Sequence, residues 1–164
     1  MADQAERLRT KMNHAQSNPT KCKTIAVVSG KGGVGKSTTT VNFAIELQKR
    51  GKRTLLFDFD VGMGNIDILL GKQSKHTIVN LFHDFLPIHD MIELGPKGLS
   101  YIAGGSGLNE LVELDEEKLN YFFQQYEKLT DEFDYIFFDL GAGVSSDRLN
   151  LISAADECFV ITTP

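Results

Sequence analysis

A chain of 164 residues with 41% hydrophobic and 24% charged side chains reads as one soluble globular domain with enough material for a substantial core. Its net charge of −5 gives no general attraction for nucleic acid, no apolar run approaches the ~18 residues of a membrane span, and the polar N-terminus is not a signal peptide. Cys22 and Cys158 lie far apart without a C-x-x-C pair, which argues against a disulfide framework and a zinc site and makes a reducing cytosolic compartment the simplest home.

The charge is unevenly spread. Residues 1–23 carry five basic and two acidic side chains, +3, which leaves −8 on the remainder. That arm opens with good helix formers, but Leu8 and Met12 are nearly its only sizeable apolar groups, so alone it is expected to be frayed or disordered. Asn18, Pro19 and Thr20 read as a linker, and the domain proper is expected over residues 24–164.

A first strand is predicted over residues 24–29. It runs into Gly30-Lys31-Gly32-Gly33-Val34-Gly35-Lys36-Ser37-Thr38, a complete match to G-x-x-x-x-G-K-[ST]. A helix follows over residues 37–50, with Gly51 as its stop. Strand, glycine loop and helix in this order make a phosphate cradle. Glycines let successive backbone N–H groups turn inward, and the helix N-terminus adds partial positive charge. In such a cradle Lys36 reaches the β- and γ-phosphates and the Ser37 hydroxyl helps coordinate Mg²⁺. Lys31, taken alone, is equally readable as a solvated loop charge.

Residues 54–59 are apolar without alternation until Asp58, the pattern of a strand covered on both faces. The strand delivers Asp60 at its carboxyl end, the edge of an open α/β sheet where ligands collect. A cap for a loop or helix is the plainer reading of that residue. Asp58 reads as a partner of the site or as a strand-end hydrogen bonder. A flexible loop over residues 61–65 leads to the apolar run 66–70. A short amphipathic helix over 77–85, stopped by Pro87, is followed by a third strand over 99–103 and a flexible glycine connector over 104–107.

The periodicity predicts a helix over 113–130 whose Leu119, Phe122, Phe123, Tyr126 and Leu129 build a wide apolar face, better read as core than as a nucleobase platform. A fourth strand over 135–138 ends on Asp139, placed to hold Mg²⁺ with Ser37, and the glycines 141 and 143 form a hinge able to respond to a γ-phosphate. A last strand over 158–162 brings the chain to Pro164. Strands alternating with helices predict an α/β fold, a mostly parallel sheet with helices on both faces. Ending on a strand reads as a chain truncated in its C-terminal half.

Lys31 to Ser37 resembles the deviant Walker A motif of the MinD/ParA family of ATPases, in which the extra lysine is the signature. Asp58, Phe59 and Asp60 with Gly62, Asn65 and Asp67 resemble the family's first switch, and Phe138 to Gly143 its second. Residues 3–9 resemble the N-terminal motif of the FlhG (YlxH) branch, which regulates flagellar number and placement. The resemblance implies a P-loop NTPase sheet and a slow Mg²⁺-dependent ATPase. In it ATP is held by Gly30, Lys31, Gly32, Gly33, Val34, Gly35, Lys36, Ser37 and Thr38, and Mg²⁺ by Ser37 and Asp139.

The resemblance further implies that Asp60 orients the attacking water and that Lys31 reaches the phosphates of a second subunit, so that ATP joins a homodimer. It implies that Gln4, in an activator arm over residues 1–23, stimulates the signal-recognition-type (SRP-type) GTPase FlhF. Flagellar switch-complex proteins are expected as further partners. Reversible membrane association of a cytoplasmic protein is expected only through a C-terminal helix absent from this sequence, and no nucleic acid is expected. The alternatives of the same fold are a MinD-like division-site ATPase and a ParA-like DNA-partition ATPase. A third reading is an interaction module acting only through residues 1–20.

Overall fold

A computed structural model describes residues 22–60, 65–105, 115–143 and 145–164. Gln4 with residues 1–21 of the expected arm, Gly62 of the first switch, and the second half of the glycine connector at 106–107 lie outside the described residues, whereas Cys22 and Lys23, the arm's last two residues, belong to the folded domain.

The predicted order of elements is present, with additions. Strand β1 (Lys23–Ser29) leads through the glycine loop into α1 (Lys36–Lys49), and β2 (Thr54–Phe59) leads into a single helical turn, α2 (Ile66–Leu69). Helix α3 (Ile78–His83) begins at a capping box in which the Thr77 amide donates to Asn80 Oδ1 at 2.9 Å. It ends two residues earlier than expected, before Phe85 turns to a φ of 51°. A two-residue strand, β3 (Glu93–Leu94), then runs antiparallel to β4 (Ser100–Ile102). Helix α4 (Glu116–Leu129) is capped by the Asp115 carboxylate, which accepts from the Lys118 amide at 2.9 Å. After β5 (Tyr135–Leu140), an unpredicted helix, α5 (Ser146–Ala154), precedes β6 (Glu157–Ile161).

Among the described residues the strands form one six-stranded sheet in the order β3-β4-β2-β5-β1-β6. Every pairing is parallel except β3 with β4, so the fold is the mostly parallel α/β sheet that alternation of elements predicts. All six residues of β2 are buried, as a strand covered on both faces requires. The period of two along a strand divides its side chains between the layers. Leu55, Phe57 and Phe59 join the core beneath α3, α4 and α5, whereas Leu56 joins Ile25, Val27, Val41 and Ala44 beneath α1. Phe122 on α4 packs against Phe57, Phe59 and Phe138 with ring centroids 5.7–6.1 Å apart, which makes it core and not a base platform.

This topology fixes where chemistry is possible. β5 lies between β1 and β2, in register with Val27 opposite Asp139 on one side and Asp58 opposite Asp139 on the other. The glycine loop after β1, the turn after β2 and the turn after β5 therefore share one sheet edge. Among the described residues no helix is long and apolar enough to cross a membrane.

Candidate functional site

The loop of residues 30–35 is solvent-facing: Gly30, Lys31, Gly32, Gly33 and Gly35 are exposed and Val34 is half-buried. Gly33 and Gly35 have φ of 75° and 84°, a region that side-chain-bearing residues rarely adopt. A Cβ added at either would meet no protein atom within 4 Å, so the protein's own demand for glycine there is conformational and the space beside the loop is open. The Ser29 hydroxyl donates to the Lys31 carbonyl at 3.0 Å and ties the loop's first turn to β1. Gly35 then starts α1, its carbonyl accepting from Thr39 N at 2.9 Å.

Lys36, in the first turn of α1, is only 7% exposed and forms an ion pair with Asp139, which is fully buried at the end of β5. The same ammonium lies 3.4 Å from Ser37 Oγ. Asp139 Oδ1 takes the lysine, and Oδ2 is buried with no hydrogen-bond partner among the described residues. An orphaned carboxylate oxygen at this depth carries a desolvation cost that a bound cation would remove. Ser37, Lys36 and Asp139 thus make a donor set that suits a Mg²⁺–nucleotide: one hydroxyl, one carboxylate oxygen and one ammonium. Hard, reluctantly dehydrated Mg²⁺ is commonly held by one or two protein oxygens together with phosphate oxygens.

Asp58 is 1% exposed and is the strand-end hydrogen bonder of the two sequence readings. Its Oδ1 accepts from Asp60 N at 3.0 Å, and its Oδ2 from Asn65 N at 3.0 Å and Ile66 N at 3.2 Å, so one side chain fastens both ends of the loop that follows β2. Burial pushes its carboxyl up from an ordinary 3.8 to about 7, with the neighbouring charge of Asp139 adding to the rise and the backbone donors opposing it. Asp60 is half-buried on the same edge. Desolvation raises its pKa, the charge of Asp139 adds to this, and Lys36 and Arg148 pull it back down.

Two residues of the site carry no sequence signal. Gly104 sits so close to β2 that a Cβ would come 2.8 Å from the Asp58 carbonyl oxygen and 2.9 Å from its Cγ; it is a close-approach residue, not merely a connector. Arg148, from the unpredicted α5, reaches back to donate to the Ala142 carbonyl and stands beside Gly141. An expected α5 would have exposed Arg148 as a candidate, but polar Ser146, Arg148 and Asn150 interrupt its apolar pattern. Of the sequence-predicted set, Lys36, Ser37 and Asp139 are drawn together, Asp60 shares their edge, and Lys31 extends into solvent.

The sequence pattern of the AAA domain family matches residues 22–164. This chain is a MinD/ParA-type member of that family. It is 33% identical over 137 residues to the antiactivator FleN of Pseudomonas aeruginosa, a match covering 84% of this chain and 49% of FleN. It is 34% identical over 171 residues to the flagellum site-determining protein YlxH of Helicobacter pylori, covering 100% of this chain and 58% of YlxH. Among solved structures, the septum site-determining protein MinD of Pyrococcus horikoshii, complexed with Mg-ADP, superposes with a TM-score of 0.74 at 25% identity over 86% of this chain and 58% of that one. The chain spans 49–58% of the length of these family members.

The Lys36–Asp139 pair sets a stability prediction. Lys36→Ala leaves a fully buried carboxylate unpaired and should cost about 3–5 kcal/mol in chemical denaturation. Replacing both partners with apolar residues, Lys36→Met with Asp139→Leu, should recover much of it; a Lys36→Ala protein as stable as the parent contradicts the pairing.

Asp58 sets a pH prediction. The folded chain keeps a proton on this carboxyl that the unfolded chain releases above its ordinary 3.8. The stability it contributes is therefore full below that value, falls as pH rises to about 7, and is constant above. Urea unfolding across this window should show the difference between the parent and Asp58→Asn shrinking with pH. A constant difference means that Asp58 titrates at its ordinary value.

Proposed function

We propose that this protein is an ATP-dependent dimerising switch, a slow Mg²⁺-dependent ATPase that regulates the number and placement of flagella. The observation that carries the ATPase reading is the meeting, on one sheet edge, of an open glycine loop with buried Lys36, the unpartnered oxygen of Asp139 and the Ser37 hydroxyl. In this reading the amides of residues 30–38 bind the phosphates of ATP. Lys36 leaves Asp139 for the β- and γ-phosphates, and Ser37 with Asp139 holds the metal. Mg²⁺ supplies charge neutralisation along the phosphate chain.

Asp60 orients a water whose oxygen bonds to the γ-phosphorus as the bond to the β-bridging oxygen breaks. ADP departs with that electron pair, and the water's proton ends on the released phosphate. Lys31, exposed in the loop's first turn, projects to the phosphates held by a second copy, so ATP joins two subunits and hydrolysis releases them. Two lysines on one phosphate set offset charge in a reaction that is mostly positioning and electrostatics.

The flagellar reading is supported by the match to YlxH, which extends over the whole chain, residues 1–23 included, whereas that to FleN covers 84%. The arm would dock on the SRP-type GTPase FlhF, with Gln4 able both to donate to and to accept from a water at that GTPase's reaction centre. Flagellar switch-complex proteins, and reversible membrane association of a cytoplasmic protein through a C-terminal segment, complete this proposal. The likeness to MinD supports a division-site ATPase as the second reading.

Two measurements separate these statements. In sedimentation with ATP and Mg²⁺, the full-length protein should shift from monomer to dimer, and Lys31→Ala should abolish the shift while ATP still binds. An unchanged dimer fraction reduces Lys31 to a loop charge. Turnover of GTP by FlhF should rise with a peptide of residues 1–23 and not with its Gln4→Ala variant. An active GTPase indifferent to the peptide removes the flagellar reading in favour of the division-site one.

A further inference from the structure

The turn after β5 contains a contact that the proposed reaction leaves unexplained. Arg148 occupies the first turn of α5, where its amide donates to Ser145 Oγ at 3.4 Å. Its half-buried side chain folds back over the preceding turn: Nη1 donates to the Ala142 carbonyl and lies 3.5 Å from the point where a Cβ on Gly143 would sit. Nη2 lies 2.8 Å from the corresponding point on Gly141, and Asp60 Oδ1 lies 2.7 Å from that same point. A guanidinium from α5 and a carboxylate from the end of β2 thus converge over one glycine, and only the missing side chain of Gly141 leaves room for both.

We propose that Arg148 is a positioning residue that holds Asp60 and the turn of residues 141–143 as one unit, so that the carboxylate keeps its aim at the attacking water. This deepens the ATPase reading and rests on it.

The residue type suits the task. Guanidinium is permanently charged and carries five N–H donors in a planar fork, so one arm holds the Ala142 carbonyl while the other faces Asp60. A lysine ammonium is a compact point charge on a flexible stem and serves one of these at a time. The charge balance around Asp60 points the same way. Lys36 from α1, Asp139 from β5 and Arg148 from α5 face it, with Asp58 two residues back on its own strand. Lys36 is already bonded to Asp139, so Arg148 supplies the second positive charge at a half-buried carboxylate that has a like charge beside it. Binding of nucleotide falls to the loop after β1, and Arg148 lies after β5, so the two roles are separable by mutation.

The test is steady-state Mg²⁺–ATP hydrolysis by the full-length protein, its Arg148→Ala, Arg148→Lys, Gly141→Ala and Asp60→Ala variants, and the Arg148→Ala/Asp60→Ala pair. Arg148→Ala should lower kcat roughly 10²-fold, as loss of alignment at a reacting group does, with KM for ATP unchanged. Arg148→Lys should recover part of the loss, and Arg148→Ala should add nothing in the Asp60→Ala background because both act through one carboxylate. Gly141→Ala, which keeps both charges and places a methyl between them, should also lower kcat; it carries the test if Arg148→Ala does not fold. No turnover by the parent protein defeats the ATPase reading and this inference together. Turnover with kcat unchanged in Arg148→Ala, a loss confined to KM, or a full additional loss on top of Asp60→Ala overturns this inference alone.

Discussion

The buried ion pair between Lys36 and Asp139 is the constraint that the site is built around. An ammonium and a carboxylate that are 7% and 0% exposed are tolerated because each offsets the other's desolvation, and neither has another full charge bonded to it among the described residues. The pair joins the first turn of α1 to the end of β5 and so pins the glycine loop against the centre of the sheet. It is also incomplete, because the second oxygen of Asp139 has no hydrogen-bond partner among the described residues. A ligand that brings an anion for the lysine and a cation for the carboxylate satisfies both at once. A magnesium nucleotide is such a ligand, and in the proposed reading stability and affinity for it would be two aspects of one electrostatic arrangement.

Around that pair the sheet sets three turns side by side. Placing β5 between β1 and β2 puts Asp58 and Asp139 opposite each other, two buried carboxylates that cannot both rely on one lysine. The fold treats them differently. Asp139 takes the cation, while Asp58 takes backbone donors from Asp60, Asn65 and Ile66 and becomes the fastener of the loop after β2. Gly104 from the end of β4 closes over Asp58, and Gly141 leaves space over Asp60. The loops that would sense a γ-phosphate are thus held by side chains, whereas the loop that would bind it is held by backbone conformation.

What could be read from residues alone follows from how local each signal is. The strand, glycine loop and helix were legible because their residues are contiguous, and the parallel sheet because its strands are apolar runs separated by helical patterns. Phe122 and its neighbours were legible as core from their spacing on α4. β3 was missed because two residues in an antiparallel edge carry no periodicity. α5 was missed because its apolar residues are few and interrupted, and Arg148 was missed with it. The roles of Gly104 and Arg148 depend on which strands are neighbours, and nothing in their own segments encodes that. Asp58 could be narrowed to two roles; its backbone bonds settle it as a fastener.

The most direct test of the central claim is a crystal structure of the full-length protein with Mg²⁺ and a non-hydrolysable ATP analogue. Lys36 Nζ should have left Asp139 for β- and γ-phosphate oxygens, with Ser37 Oγ on the metal and Asp139 facing it. A bound nucleotide beside an intact Lys36–Asp139 pair would contradict the account, since the lysine and carboxylate would then be a structural pair and not the site.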